Sequence, residues 1–225
     1  MNKILSYISD IFFPNRCPVC NAFIEWNKCI CPECEQSLKA FPENICKGCG
    51  KTECFCSEKT YDKAMACFYY EGKAKDGILS LKDGHKEFGI YIGKLLGNRF
   101  LEEDFKADAV IPVPMSKESY RKRRYNQAEV IGEQIAEINH IKLLNGILYK
   151  KNSAVQHSLN KAERTKNTSA FYSEKKFRLY DMNIILCDDV LTTGSTLNKC
   201  ASLLKEIGAA EVYAAVGTTT KLKKE

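Results

Sequence analysis

Nine of the twelve cysteines in this 225-residue chain fall between Cys17 and Cys56. Clustering of this density leaves two ways to hold a segment together, a disulfide framework or a metal. A secretory signal needs an uninterrupted apolar stretch and a small-residue cleavage site, and Ser6, Ser9 and Asp10 break up the opening MNKILSYISDIFF. The expected compartment is therefore the reducing cytoplasm, where disulfides are rare. Cys17-Pro-Val-Cys20 and Cys31-Pro-Glu-Cys34 are two Cys-x-x-Cys knuckles about ten residues apart, the spacing of a zinc ribbon. Tetrahedral zinc takes four thiolates on two tight turns, and each two-residue spacer lets a pair of sulfurs converge on one ion. A second set follows in Cys46-Lys-Gly-Cys49 and Cys54-Phe-Cys56, with glycines beside its first knuckle. One or two structural zinc ions are expected, with Cys29 able to replace Cys31 as a ligand. A closed all-thiolate set has no open position for water, so the metal supplies folding energy rather than chemistry. The pairs do not open a helix within a βαβ unit, as a redox dithiol would.

Ile4, Leu5, Ile8, Ile11 and Phe12 recur at helical spacing and predict a short amphipathic helix over 1–14 that ends at Pro14. It reads as a cap on the neighbouring domain, with peripheral attachment to a membrane surface as the alternative. No apolar run approaches the roughly 20 residues that span a bilayer. From Arg16 to Lys59 the chain is rich in Cys, Pro, Asn and Glu with little periodicity, and beyond Thr60 strand-like and helix-like segments alternate. The expected division is a helix over 1–14, a Cys-rich module over 15–59 and a larger domain over 60–225. Residues 1–60 carry seven residues of each charge sign, so the net charge of +6 belongs to the larger domain. A surplus of that size suits an anionic partner, and equally a well-solvated surface.

In the larger domain, strands are expected at Ala64 to Tyr70, Ala107 to Val113, Leu143 to Tyr149, Asn183 to Cys187 and Glu211 to Val216. Helices are expected at Lys73 to Lys82, Phe88 to Phe100, Gln127 to Ile138 and Thr196 to Ile207, the last stopped at Gly208. This alternation implies an α/β fold with a mostly parallel sheet covered on both faces. Cys67, Cys187 and Cys200 sit in apolar contexts and read as core. The polar stretch Lys151 to Ala170 is long enough for a functional loop.

The most informative stretch is Ile184-Ile-Leu-Cys-Asp-Asp-Val-Leu-Thr-Thr-Gly-Ser-Thr196. A strand delivers two adjacent carboxylates, Asp188 and Asp189, at the carboxyl edge where open α/β sheets bind ligands. Thr192, Thr193, Gly194, Ser195 and Thr196 then open a helix, where backbone N–H groups, hydroxyls and the positive dipole end suit a phosphate dianion. A sugar with vicinal hydroxyls at one end and a phosphate at the other satisfies both features, and ribose 5-phosphate is such a ligand. Helix capping alone accounts for one or two of these polar residues, not the whole run.

The stretch from Asp188 to Thr196 resembles the signature loop of type I phosphoribosyltransferases. Ile111-Pro-Val-Pro114, Arg124-Tyr-Asn-Gln127, and then Gln156, Leu159, Arg164, Asn167 and Phe171 are similar to the ComF/ComFC competence-protein family, which also begins with cysteine knuckles. The resemblance covers nearly the whole chain. It implies a type I phosphoribosyltransferase-like fold behind a zinc-ribbon module, with Asp188 and Asp189 on the ribose hydroxyls and Thr192 to Thr196 on the 5-phosphate of 5-phosphoribosyl-1-pyrophosphate. Pro114 to Asn126 would be the pyrophosphate loop, with Arg124 as its cation, since a guanidinium grips two phosphate oxygens at once. The family commonly shows Arg-Gly-Phe where this chain has Tyr125 preceded by Arg124. Lys151 to Ala170 would be a hood over the ligand, bringing Arg164 and Lys161 to the pyrophosphate, with His157 read as an ordinary exposed histidine.

Two functions follow from the resemblance. In the first, the chain is a ComFC-like factor in natural transformation that binds phosphoribosyl pyrophosphate and handles single-stranded DNA, with competence or recombination proteins as partners. Basic groups interleaved with aromatics fit a single-strand binder, and the same clusters could equally serve pyrophosphate alone: Arg121 to Arg124 with Tyr120 and Tyr125, Lys150 and Lys151 with Tyr149, and Lys175 and Lys176 with Arg178. In the second, the chain is a working phosphoribosyltransferase in which Asp188, Asp189 and Arg164 serve the reaction. Mg²⁺ bridging the diphosphate would then ease its departure to an acceptor that no residue identifies.

Overall fold

The computed structural model of the chain describes residues 15–52, 56–151, 171–173 and 177–221. The expected helix over 1–14 lies outside the described residues, as do Cys54, Lys175, Lys176 and the loop residues Gln156, His157, Leu159, Lys161, Arg164 and Asn167.

The described elements run α1 (Pro32–Ser37), a 3-10 turn (Cys56–Glu58), β1 (Lys63–Tyr69), α2 (Gly72–Lys82), α3 (Glu87–Glu102), β2 (Ala109–Pro112), α4 (Lys117–Arg123), α5 (Gln127–Ile138), β3 (Lys142–Leu143), β4 (Leu148–Lys150), β5 (Phe171–Ser173), β6 (Asn183–Leu191), α6 (Ser195–Glu206) and β7 (Glu211–Thr219). Five strands form one sheet in the order β1-β7-β6-β2-β3, every neighbouring pair parallel.

Parallel strands need helical crossovers, and these bury both faces of the sheet. Strand β6 shows this residue by residue. Ile185 and Cys187 join a core with Phe88, Ile92 and Leu96 of α3 and Ile131 and Ile135 of α5. Ile184 and Leu186 point the other way, into a core with Leu197, Cys200 and Leu204 of α6. Helices α3 and α5 pack closely because α3 carries glycine at every fourth position. A Cβ at Gly93 would lie 2.6 Å from the Ile131 carbonyl oxygen, and one at Gly97 would lie 3.0 Å from the Ile138 side chain.

Two segments differ from the sequence expectation. The strand expected from Leu143 to Tyr149 is broken at Gly146, whose φ of 74° turns the chain. Its first part, β3, closes the main sheet, and its second, β4, pairs antiparallel with β5 in a separate hairpin. The stretch from Pro114 to Asn126, expected as a loop, holds the helix α4, capped by Ser116 whose Oγ accepts from the Ser119 amide at 3.2 Å.

The cysteine module lies along the edge of the sheet. As an edge strand, β1 would present unpaired backbone groups. The Phe41 amide donates to the Cys67 carbonyl at 2.7 Å, and the Ala64 amide donates to the Lys47 carbonyl at 3.0 Å. Cys17, Ile30, Cys31 and Cys34 belong to the same buried cluster as Phe68 and Phe88, so the module and the α/β layer share one core.

Candidate functional site

The sheet reverses direction between β2 and β6: from β2 the chain passes outward to β3, then returns on the other side to β6. Ligands of open α/β sheets sit in the crevice at such a reversal, outside the carboxyl ends of the strands. A cavity of about 210 Å³ occupies this position. Val113 and Pro114 after β2, Asp188 and Asp189 on β6, and Thr196 on α6 all line it. The strand β6 continues to Leu191, past the expected end at Cys187, so a ladder with β7 holds the backbone at Asp188 and again at Val190, on either side of Asp189.

The acids differ in their surroundings. Burial and the neighbouring Asp189 charge push the Asp188 carboxyl well above the usual carboxylate range, against the opposing effect of an amide bond from Asp189. That bond, Asp189 N–H to Asp188 Oδ1, measures 2.9 Å. Asp189 faces a cation instead: its Oδ2 lies 3.2 Å from Lys82 Nζ at the end of α2. Lys82, Arg123 and Lys150 bring positive charge to the cavity wall opposite the acids. Arg123 and Lys150 belong to the basic clusters that the sequence offered for DNA or for pyrophosphate, whereas Lys82 was not singled out, because α2 is far from β6 along the chain.

Arg124 does not line the cavity; Arg123 does. Arg123 Nη1 donates to Gln127 Oε1 at 3.2 Å, which holds its guanidinium toward the crevice. Arg124 is the left-handed C-cap of α4, with φ 68°, and its side chain is exposed. A positive φ is glycine's conformation. Arg124 therefore holds a glycine-like conformation between Arg123 and Tyr125. Tyr125 is buried, its hydroxyl bonded to the Leu81 carbonyl, so it is no stacking surface, whereas Tyr120 is 50% exposed. Asn126 ties the loop to β2, donating from Nδ2 to the Val113 carbonyl at 2.9 Å.

The phosphate-loop residues are arranged as a helix entrance. Gly194 takes φ 82° and precedes the first turn of α6. Thr193 Oγ1 lies 3.0 Å from Ser195 Oγ and accepts from the Ser195 amide at 3.3 Å. Thr192, Thr193 and Ser195 are exposed, Thr196 is half-buried and Gly194 is buried beneath them. The acids and Thr196 share the cavity, while Thr192 to Ser195 lie outside its lining. Chemically, carboxylates here can accept from vicinal hydroxyls, the helix entrance can hold a dianion, and the facing cations can hold a diphosphate. A larger cavity, about 640 Å³, lies at the amino ends of β1 and β7 among Phe41, Met65, Phe105 and Tyr213. It is mainly apolar, and its Arg99 is paired to Glu103 at 2.7 Å.

The cysteines gather in two sets. Sulfurs of Cys17, Cys20, Cys31 and Cys34 lie within 4.8 Å of one another, as do those of Cys46, Cys49 and Cys56. Cys29 stands outside the first set. Four thiolates at about 2.3 Å from one zinc are about 3.8 Å apart. The pairs Cys20–Cys31 at 3.5 Å and Cys46–Cys56 at 3.6 Å come close to that value. Gly48 makes room for the second set, since a Cβ there would lie 2.6 Å from Cys56 Sγ. Burial pushes the Cys17 thiol up, but backbone amides of Cys31, Cys20 and Val19 outweigh it and bring the group down to about 7. Both sets fit structural zinc. Cys67, Cys187 and Cys200 are buried in the core.

Residues 118–223 match the phosphoribosyl transferase domain, and residues 8–68 match the double zinc ribbon domain. Fold and site thus define a class: a type I phosphoribosyltransferase-like domain behind an N-terminal double zinc ribbon. Competence protein ComFC of Streptococcus pneumoniae is 28% identical over 196 residues, 83% of this chain and 86% of that protein. Competence protein F of Haemophilus influenzae is 29% identical over 224 residues, 89% of this chain and 95% of its own length. The DNA utilization protein YhgH of Escherichia coli O6:H1 is 26% identical over 204 residues, 87% of this chain and 86% of its own. The chain is thus similar to these competence and DNA utilization proteins over most of its length. No helix among the described residues is long and apolar enough to cross a membrane.

Proposed function

We propose that this chain binds 5-phosphoribosyl-1-pyrophosphate with Mg²⁺ and serves competence by handling single-stranded DNA. The observation that carries the first half is the crevice where Asp188 and Asp189 meet Thr196 across from Lys82, Arg123 and Lys150. In this reading the acids take the 2- and 3-hydroxyls, residues 192–196 take the 5-phosphate, and the three cations with Mg²⁺ take the diphosphate. Arg123 replaces Arg124 as the guanidinium of the pyrophosphate loop. The binding is mainly positional and electrostatic, as suits a ligand whose reactive carbon needs orientation and a neutralised leaving group.

Support for the DNA half comes from the names of the relatives, two competence proteins and a DNA utilization protein. The exposed Arg121, Lys122 and Arg124 beside the exposed Tyr120 add a basic, aromatic surface on α4, next to the crevice. Phosphate contacts make such binding fall steeply with salt. Fluorescence anisotropy with a labelled single-stranded oligonucleotide, with and without Mg²⁺ and phosphoribosyl pyrophosphate, tests this half. We expect salt-sensitive binding that weakens when Arg121, Lys122 and Arg124 are neutralised together; undetectable or salt-independent binding contradicts it. Pyrophosphate release in the same mixtures, screened with nucleobases, separates a binding protein from a working transferase.

A further inference from the structure

The second cysteine set and the phosphate loop are neighbours in space, with Tyr61 between them. Tyr61 is buried, 4% exposed. Its hydroxyl donates to the Cys49 carbonyl at 2.8 Å. On the other side, a Cβ at Gly194 would lie 3.7 Å from the same hydroxyl oxygen. The adjacent Thr60 holds the first turn of α6 twice, its amide donating to Asn198 Oδ1 at 3.0 Å and its Oγ1 to the Asn198 carbonyl at 2.6 Å. The knuckle is pinned from beneath as well. The buried Thr219 Oγ1 donates to the Gly50 carbonyl at 2.8 Å, and a Cβ at Gly50 would lie 2.8 Å from Leu191, the last residue of β6. Thr220 in turn donates its amide to the Leu191 carbonyl at 3.1 Å. The turn from Cys46 to Lys51 thus forms part of the floor under residues 191–198.

That turn has a defined path only while its sulfurs are gathered, because thiolates left without a metal repel one another and the turn has little apolar side chain of its own. We propose that Tyr61 is a positioning residue that ties the shape of the 192–196 loop to zinc at the Cys46, Cys49 and Cys56 centre, so that filling this centre sets the grip on the 5-phosphate. The inference rests on the phosphate-loop reading above. It gives the module a task beyond folding: loss of zinc from this centre releases the phosphate end of the ligand, while the first set, packed with Phe68 and Phe88, has no such link among the described residues.

The test is calorimetric titration of the full-length, zinc-loaded chain with ribose 5-phosphate and, separately, with Mg²⁺-pyrophosphate, with zinc content and amide exchange at 192–197 measured alongside. Tyr61→Phe keeps the ring and removes one buried hydrogen bond, so ribose 5-phosphate affinity falls roughly 5-fold while pyrophosphate affinity holds. Cys56→Ser loses one zinc equivalent and weakens ribose 5-phosphate further. Cys20→Ser loses the other equivalent and leaves that affinity unchanged. Exchange at 192–197 quickens in the first two variants only. Should Tyr61→Phe and Cys56→Ser both bind ribose 5-phosphate as wild type does, or should both ligands weaken in parallel, the coupling is overturned. If Cys56→Ser does not fold, Tyr61→Phe decides alone. A wild-type chain that does not bind ribose 5-phosphate overturns the phosphate-loop reading itself, and the coupling with it.

Discussion

Lys82 Nζ and Asp189 Oδ2 are 3.2 Å apart across the crevice, an ion pair between the end of α2 and the end of β6. A ribose hydroxyl and a diphosphate oxygen compete for the same two groups, so ligand binding exchanges this pair for two new contacts. Lys82 is also among the groups that favour the ionised form of Asp188. In Lys82→Met we expect phosphoribosyl pyrophosphate to bind about tenfold more weakly, the loss of one charge-assisted contact. We also expect the pH above which it binds to move upward, since Asp188 loses a neighbouring cation. Calorimetry across pH 5.5 to 8.5 checks both.

Arg123 and Arg124 separate cleanly by substitution. Arg123→Ala should weaken Mg²⁺-pyrophosphate binding by about tenfold or more. Arg124→Gly should leave it unchanged and raise stability by up to about 1 kcal/mol, because glycine relieves the left-handed strain at a modest entropic cost. Thermal melts and titrations of the two variants suffice. Equal losses in both would return the cation role to Arg124.

The raised Asp188 carboxyl carries a stability signature. Its folded state holds the proton more tightly than the unfolded chain does, so the ligand-free protein loses stability as pH rises from the ordinary carboxylate range toward the folded value. Asp188→Asn removes this loss. Its Tm should exceed that of wild type by about 2–4 °C at pH 8, with the difference shrinking toward pH 4. A Tm difference that grows on acidification would contradict the assignment.

Metal content follows from the two sulfur sets. Zinc analysis should give two equivalents per chain, and Gly48→Ala should retain one, since its Cβ would intrude on Cys56 Sγ. Zinc analysis that finds both equivalents in this variant would show that the turn adjusts.

Much of this architecture was legible in the residues. Periodicity marked the central helices because their buried faces repeat cleanly, as Val130, Ile131 and Ile135 do on α5. The cysteine spacing and the run from Asp188 to Thr196 stand out in the sequence as candidate sites because each is local in sequence. What was illegible is nonlocal. Lys82 reads as an ordinary helix-end lysine until the sheet brings α2 beside β6. Arg123 and Arg124 are equivalent on paper, and only the left-handed cap at the end of α4 sends one into the crevice and the other to solvent. The break at Gly146 went unrecognised because the apolar residues on either side of it mimic one continuous strand. Tyr61 sits at the boundary between two textures, and its link to Cys49 and Gly194 exists only in the folded chain.

The central claim is that the paired acids and the helix entrance grip opposite ends of one phosphorylated pentose. Titration of phosphoribosyl pyrophosphate with Mg²⁺ into wild type and Asp188→Asn/Asp189→Asn tests it most directly. We expect one site per chain in wild type and a loss of roughly 30-fold or more in the double variant, the cost of two hydrogen bonds to charged acceptors. No detectable heat in wild type, or equal affinity in both proteins, would contradict the account.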